Sequence, residues 1–338
     1  MNKRKGAQTV LFENPPMIVA TGTVAGKKES EGPIGNFFDL VTDDALFGEK
    51  TWEKAESKFV KTAVNTALKK ANVAPVDVNY LLGGDLINQC TSTTYGIREF
   101  GIPYFGIYGA CSTMALSMSL AAMCIDGGFA ERCAAVTSSH FCSAEKQFRF
   151  PLEYGGQRPP SSQWTVTGAA CAILEKGKEN KEGIRIEGIT TGKIIDRGIT
   201  DANNMGSAMA PAAADTLIAH FNDTGRKPED YDLILSGDLG KVGKSIVIDI
   251  ARENGFDLSK NYNDCGLIIF DNDKQDTHSG GSGCACAGLT FCGYVYDLMQ
   301  KKTIKNVLFM ATGALQSTLS VQQGESLPGI AHAVALKI

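Results

Sequence analysis

Two segments of this chain repeat one another, and the repeat limits the possible folds more than any other feature. Residues 75–85 (PVDVNYLLGGD) and residues 228–238 (PEDYDLILSGD) align without a gap and end in the same Gly-Asp pair. Each copy follows a segment in which apolar residues recur with helical spacing, residues 52–71 and residues 210–221. The chain is therefore expected to contain two copies of one helix and strand unit. The coinciding positions are Pro75 with Pro228, Asp77 with Asp230, Leu82 with Leu235, Gly84 with Gly237 and Asp85 with Asp238.

Further short apolar runs, bounded by turn residues, predict buried strands on either side of the repeat. Residues 281–299 predict a helix of small residues in the second half, opposite a similar helix in the first half. Alternating strands and helices favour a layered α/β architecture with parallel-rich sheets. The halves meet in the charged segment 175–182, and we predict two units, residues 1–178 and residues 179–338. The predicted strands are residues 17–24, 80–85, 133–138, 168–175 and 307–312.

Residues 102–127 contain the most informative cysteine. The segment predicts a strand at residues 104–108, a tight turn, and a buried helix whose first turn holds Cys111. Unpaired backbone N–H groups and the helix dipole favour a thiolate there, with Ser112 and Thr113 as capping residues. Cys111 could equally be a small core residue, as most buried cysteines are. The residues that surround Cys111 in the folded protein determine whether it is a thiolate or a small core residue.

Composition narrows the class of protein. The 338 residues are 43% hydrophobic and 21% charged, with a formal net charge of -4, which is ordinary for a globular protein and gives nucleic acid no basic surface. The ten cysteines lie mostly in apolar patterns, so reduced, buried thiols are expected rather than disulfides. Cys284 and Cys286 have no second cysteine pair at zinc spacing. We expect no metal site from these residues.

Two motifs carry a resemblance to a known family. Residues 109–112 (GACS) match the nucleophile motif of the thiolase superfamily, in particular of its 3-oxoacyl-carrier-protein synthase III branch. Residues 166–175 (VTGAACAILE) match a later glycine-rich strand of the same family, and the similarity covers nearly the whole chain. The resemblance implies a duplicated thiolase-like α/β fold, layered αβαβα, with two halves related by a pseudo-two-fold axis. Family members form carbon–carbon bonds through a cysteine thioester.

The resemblance also indicates which residues should activate the cysteine, and the sequence lacks both. The family's histidine falls on Gly237, and its asparagine falls on Gly280 in a glycine-rich turn. Without them, Cys111 has neither its base nor the side-chain donor of an oxyanion hole. We therefore expect a pseudoenzyme with Cys111 as a vestigial nucleophile, no catalytic residue and no cofactor.

Within the superfamily, the chain resembles a subgroup of spore-forming bacteria. That resemblance implies binding of dipicolinic acid, with its calcium, for uptake into the developing spore. It implies small membrane proteins of the same sporulation system as partners, and a homodimer paired through the strand that leads to Cys111. No leader-like segment or membrane-spanning apolar run is evident in the sequence. A peripheral protein on the cytoplasmic side of the spore inner membrane is therefore expected.

The ligand pocket is expected where the two halves meet, beyond the carboxyl ends of the repeated strands. A dianionic ligand needs cationic donors, which Arg149 or Arg158 on the long loop of residues 142–165 can supply, although solvated loop arginines are common. Asp85 and Asp238 are either calcium ligands or caps of the turns after the strands. The residues expected at the pocket are Asp85, Cys111, His140, Arg149, Asp238, His278 and Ser279.

Two other functions are compatible with the sequence. An active acyltransferase would use Cys111 with His140 or His278 as base, and a labelled acyl thioester would then modify Cys111 and turn over. A structural or assembly subunit would retain the pocket only as a vestige and act through its surface.

Overall fold

Strands and helices alternate along most of the chain. The computed structural model describes residues 3–148, 151–152, 155, 157–177 and 182–338. Its strands are β1 (Arg4–Lys5), β2 (Thr9–Leu11), β3 (Met17–Gly26), β4 (Leu40–Thr42), β5 (Tyr80–Gly84), β6 (Tyr104–Gly106), β7 (Arg132–Ser139), β8 (Trp164–Thr165), β9 (Gly168–Glu175), β10 (Ile184–Thr190), β11 (Leu233–Ser236), β12 (Tyr262–Asp264), β13 (Gly281–Ser282), β14 (Asn306–Ala314) and β15 (Gly329–Lys337). Its α-helices are α1 (Lys27–Ser30), α2 (Trp52–Ala71), α3 (Thr91–Ile97), α4 (Thr113–Asp126), α5 (Phe141–Glu145), α6 (Met205–Thr224), α7 (Gly240–Glu253), α8 (Cys265–Ile268), α9 (Cys284–Leu289), α10 (Tyr296–Gln300) and α11 (Thr318–Gln322).

Ten of the 13 strands of the main sheet form two five-strand arrays with the same internal order, and β1, β2 and β4 pair off this path. Its path runs β12-β11-β14-β15-β10-β3-β9-β7-β5-β6. In each array, outward from the centre, two antiparallel pairings are followed by two parallel ones. The arrays join where β10 pairs with β3, with Ile184 opposite Ile18. The repeated segments supply β5 and β11, which occupy equivalent positions one strand in from each outer edge.

Helices form three layers around these arrays. Helix α2 packs on β3, β7 and β9, whereas α6 packs on β14 and β15 and against α7. Helix α4 lies between the arrays and contacts β5 and β7 of one and β14 and β15 of the other. Its residues Met114, Ala115, Met118 and Ala122 are fully buried, as the apolar surroundings on both sides require. The αβαβα layering expected from the sequence is confirmed.

Local sequence explains where the helices begin and end. The Thr51 side chain accepts from the N–H of Lys54 over 3.4 Å and caps α2, and Asn72 ends that helix in the left-handed conformation. The small residues of the predicted helix 281–299 instead form β13, α9, a π-helical stretch (Thr290–Val295) and α10. The helix was therefore predicted to begin too early, at residue 281, whereas α9 begins at Cys284.

The predicted strand before Cys111 is also shorter than expected. It ends at Gly106, and β6 lies at the outer edge of the sheet with Phe105 50% exposed. The proposed boundary between residues 178 and 179 lies outside the described residues, so the division of the chain at that point stays a prediction.

Candidate functional site

A cavity of about 350 Å³ lies beside Cys111. Its volume is within the usual range for small-molecule sites. Segments distant in sequence form its wall, because the turns after β5 and β14, the loop before β8 and the start of α6 converge there. The lining residues are Leu86, Ile87, Asn88, Gln89, Cys90, Tyr108, Ala110, Cys111, Ala144, Glu145, Gln147, Phe148, Arg158, Ser162, Gln163, Thr165, Ala202, Asn203, Met205, Ser282, Gly283, Ala314, Gln316 and Ser317.

Cys111 lies at the inner wall of the cavity. It belongs to a short 3-10 turn, Ala110–Ser112, directly before α4, and is 7% exposed. The hydroxyls of Ser112 and Thr113 donate to carbonyl oxygens three residues earlier, over 2.6 Å in each case. Neither side chain caps the free N–H groups of α4. The capping role expected of these two residues is therefore wrong.

The thiol faces a buried carboxyl group. Asp238 is 1% exposed, and its carboxylate accepts from Oγ1 of Thr312 over 2.6 Å and from the N–H of Gly283 over 3.1 Å. Burial raises the pKa of Asp238 to about 6, although its hydrogen bond with Cys111 opposes the shift. Burial, and then the negative charge of Asp238, raise the pKa of the Cys111 thiol well above its ordinary value. Of the two roles left open for Cys111, burial and the neighbouring carboxylate therefore favour a neutral thiol that hydrogen-bonds to Asp238.

The side chain of Asp85 holds in place, through hydrogen bonds, the segment that forms one wall of the cavity. Its buried carboxylate accepts from the N–H of Ile87 over 2.9 Å and from the N–H and hydroxyl of Thr93, each over 2.7 Å. Residues 86–90 line the cavity, but Asp85 does not. Burial raises the pKa of Asp85, and burial with the nearby Asp85 charge raises that of Glu56. Of the two roles considered for Asp85, the contacts are those of a turn cap.

His140 is a structural residue. Its Nδ1 accepts from the N–H of Cys142 over 3.1 Å, so Nε2 carries the proton that it donates to the carbonyl oxygen of Ala45 over 2.7 Å. The ring is 1% exposed, packs edge-on against Phe59 and does not line the cavity. Burial lowers the pKa of His140. With both nitrogens engaged, it cannot serve as the base of Cys111.

His278 and Ser279 also lie off the cavity. Nδ1 of His278 is 3.1 Å from the carbonyl oxygen of Pro159, and Nε2 is 3.0 Å from the carboxylate of Asp276. Ser279 is 1% exposed, and its carbonyl oxygen accepts from the N–H of Lys241 over 2.8 Å. Neither residue is among those that line the cavity. The structure therefore does not place either side chain in the cavity beside Cys111, and a role for them in ligand binding stays a prediction.

The two glycines at the family's activating positions leave no space for a side chain. A Cβ atom at Gly237 would lie 2.7 Å from the backbone nitrogen of Thr312. One at Gly280, where φ is +126°, would lie 2.7 Å from the carbonyl oxygen of Gly266. The glycine that does line the cavity is Gly283. Bulky residues at Gly280 would therefore disrupt packing rather than block the cavity.

Of the two loop arginines, Arg149 lies outside the described residues. Arg158 lines the cavity, and its guanidinium carbon is 4.7 Å from the ring centroid of Trp164. Sequence reasoning missed Ser162 and Gln163, which follow the Pro-Pro pair of the same loop and are 6% and 5% exposed. Both residues are polar and lie in a loop, so the sequence contains no indication that they are buried.

The described residues contain no group of three or more His, Cys, Asp or Glu side chains arranged to hold a metal ion. In the same part of the chain, no helix is both long enough and apolar enough to cross a membrane.

Solved structures show the fold class independently. The chain is similar to 3-oxoacyl-[acyl-carrier-protein] synthase III from Aquifex aeolicus, with 13% identity, a TM-score of 0.58, and 96% of this chain and 100% of that chain covered. It is also similar to OleA from Xanthomonas campestris, with 15% identity, a TM-score of 0.59, and 96% of this chain and 97% of that chain covered. These values establish a thiolase-like fold.

A closer relative is the stage V sporulation protein AD of Bacillus subtilis (strain 168). It is 44% identical over 335 residues, which cover 99% of this chain and 98% of that protein. The family model described as stage V sporulation protein AD (SpoVAD) matches residues 6–337. The chain therefore belongs to the stage V sporulation protein AD family, and has the thiolase-like fold.

Proposed function

We propose that this protein is a non-catalytic ligand-binding protein of sporulation, whose cavity takes dipicolinic acid with its calcium for uptake into the developing spore. The observation that carries the non-catalytic part is the contact between Cys111 and Asp238. A nucleophilic cysteine needs a base or a positive environment, and here the thiol is buried against a carboxylate. His140 is occupied elsewhere, and His278 lies off the cavity.

The lining of the cavity supports a small, flat, anionic ligand. Ala110, Ala144 and Met205 supply apolar wall, and Arg158 supplies a cation. Oγ of Ser162 and Oε1 of Gln163 are buried without a hydrogen-bond partner among the described residues. Buried polar groups of this kind are costly unless something pairs with them. The Ser162 hydroxyl can donate to a ligand carboxylate, whereas Oε1 of Gln163 accepts only and suits the calcium of a chelate.

Calcium enters this proposal as part of the ligand. The carboxylates of Asp85 and Asp238 accept hydrogen bonds from groups of the chain itself. Holding a calcium ion would require these bonds to be given up. Glu145, whose Oε1 accepts from the Thr165 hydroxyl over 2.8 Å, is the carboxylate on the cavity wall. Among the residues that line the cavity, Glu145 has the side chain best suited to coordinate the calcium of a bound chelate.

Two further parts of the proposal concern where the protein acts and how two copies of it associate. The family is one of sporulation proteins. We propose that the chain acts at the spore inner membrane, on its cytoplasmic side, with small membrane proteins as partners. Strand β6 is an outer strand of the described sheet, and an edge strand has backbone groups available for pairing. We propose that β6 pairs with its copy in a homodimer, which sedimentation at several concentrations would test.

Calorimetric titration with dipicolinate, with and without calcium, tests the central proposal. Ala202 is half-buried and lines the cavity, so Ala202→Trp should fill it and abolish binding. Ala71 is also half-buried but ends α2 away from the cavity, so Ala71→Trp is the matched control and should bind like the wild type. Equal binding by the two variants would place the ligand elsewhere. A stable acyl-enzyme at Cys111 after incubation with an acyl-coenzyme A would instead favour an active acyltransferase.

A further inference from the structure

A surface depression lies beside the cavity and shares one residue with it. Arg158 lines both, and its side chain is 9% exposed. One guanidinium group therefore connects the inner cavity with the outer surface. The depression is formed by Gln157, Arg158, Pro159, Pro160, Asp276 and His278.

The side-chain carboxylate of Asp276 lies next to the guanidinium group of Arg158. Nη2 of Arg158 donates to the carbonyl oxygen of Asp276 over 2.6 Å and lies 3.6 Å from its carboxylate Oδ2. The other carboxylate oxygen, Oδ1, is 3.0 Å from Nε2 of His278. The Asp276 side chain is 82% exposed. Water and dissolved anions therefore compete for these contacts, and the ion pair is weak.

The turn that carries Asp276 has an uncommon backbone. Asp276 has φ +50° and His278 has φ +55°, so two of three consecutive residues are left-handed without being glycine. Both ring nitrogens of His278 face acceptor oxygens, one on Pro159 and one on Asp276. Such a turn is held by its contacts, and it can rearrange when they are replaced.

A second cation lies close to Arg158. Nζ of Lys28 is 4.1 Å from the ring centroid of Trp164, and the guanidinium carbon of Arg158 is 4.7 Å from it. Phe141 stacks on the same ring, with centroids 4.0 Å apart. Burial lowers the pKa of Lys28, and the neighbouring charge of Arg158 lowers it further. Two cations held together in this way attract an anion with two negative charges.

We infer that Arg158 and His278, with the charge of Lys28 nearby, form an outer anion subsite at the cavity, and that Asp276 occupies it until a ligand carboxylate takes its place. The inference rests on the proposed function, because the ligand that it assigns to the subsite is the dicarboxylate. Exchange of one carboxylate for another keeps a negative charge beside Arg158, so displacement costs little. Asp276 is then an internal competitor of the ligand.

The test compares two aspartates of the same turn. Asp273→Asn removes the same charge as Asp276→Asn, but the Asp273 side chain is 95% exposed and lies 4.0 Å from Lys241. Asp276→Asn should lower the Kd for dipicolinate by about fivefold, the upper range for an exposed ion pair. Asp273→Asn should leave that Kd within about twofold, since its charge is screened by solvent. Phenylglyoxal should modify Arg158 faster in Asp276→Asn than in the wild type, and at the wild-type rate in Asp273→Asn. Mass spectrometry locates the modified residue.

The outcomes separate this inference from the proposed function. Equal Kd values and equal Arg158 modification rates in the two variants would overturn the subsite while dipicolinate binding stands. Weaker binding by Asp276→Asn would also overturn it, because Asp276 would then position Arg158 for the ligand. A wild-type protein that binds no dipicolinate would remove the proposed function, and the subsite with it.

Discussion

Replacement of Asp238 by asparagine should make Cys111 more reactive. Asp238 has a pKa of about 6, so it is ionised at pH 8 beside the thiol. Two unit charges about 4 Å apart interact by about 4 kcal/mol at an effective dielectric constant near 20. The negative charge of Asp238 therefore opposes formation of a thiolate at Cys111 and raises the pKa of that thiol. The larger cause, burial, remains in the variant.

The variant should keep its fold because asparagine retains an oxygen that accepts from the N–H of Gly283, while its amide can donate to the hydroxyl of Thr312. Alkylation by iodoacetamide follows the thiolate fraction. At pH 8 the rate at Cys111, read by peptide mass spectrometry, should rise by at least tenfold in Asp238→Asn. The half-buried Cys124 of the same molecule is the internal control and should not change.

Two results would contradict this reasoning. If Cys111 of the wild type is alkylated as fast as Cys124 at pH 8, its thiol is not suppressed by its surroundings. If Asp238→Asn leaves the ratio of the two rates unchanged, the carboxylate is not what opposes thiolate formation.

Three further predictions follow from the buried groups. Burial raises the pKa of Glu29 to about 7, so the folded state keeps a proton that the unfolded state loses near its ordinary value, and stability falls as pH rises between about 4.5 and 7. Glu29→Gln should remove about 3 kcal/mol of this pH dependence in urea unfolding, whereas Glu253→Gln, at an exposed site, should remove none. Cys111→Ala should remain folded and bind dipicolinate within about threefold of the wild type, since it loses one hydrogen bond of modest strength. A large loss of calorimetric affinity would make the thiol an essential contact. Gly280→Val should lower the thermal unfolding temperature, because its Cβ has no space and its φ is +126°; an unchanged temperature would refute that packing argument.

The sequence determined the architecture because the necessary signals are local. The repeat at residues 75–85 and 228–238 gave the duplication, and apolar runs gave β7, β9 and β14. Helix α4 could be recognised as largely buried, since apolar residues occur on all of its faces.

The chemistry of the site was decided by tertiary structure alone. The turn Ala110–Ser112 and Asp238 come from different halves of the chain, and only the fold brings the Cys111 thiol against that carboxylate. Position before a helix favours a thiolate, but burial and a neighbouring negative charge outweigh it. The cavity likewise joins Arg158 to residues more than a hundred positions away in sequence, such as Gln316. A side chain's protonation state and accessibility depend on its packed neighbours, and those neighbours are not adjacent in the sequence.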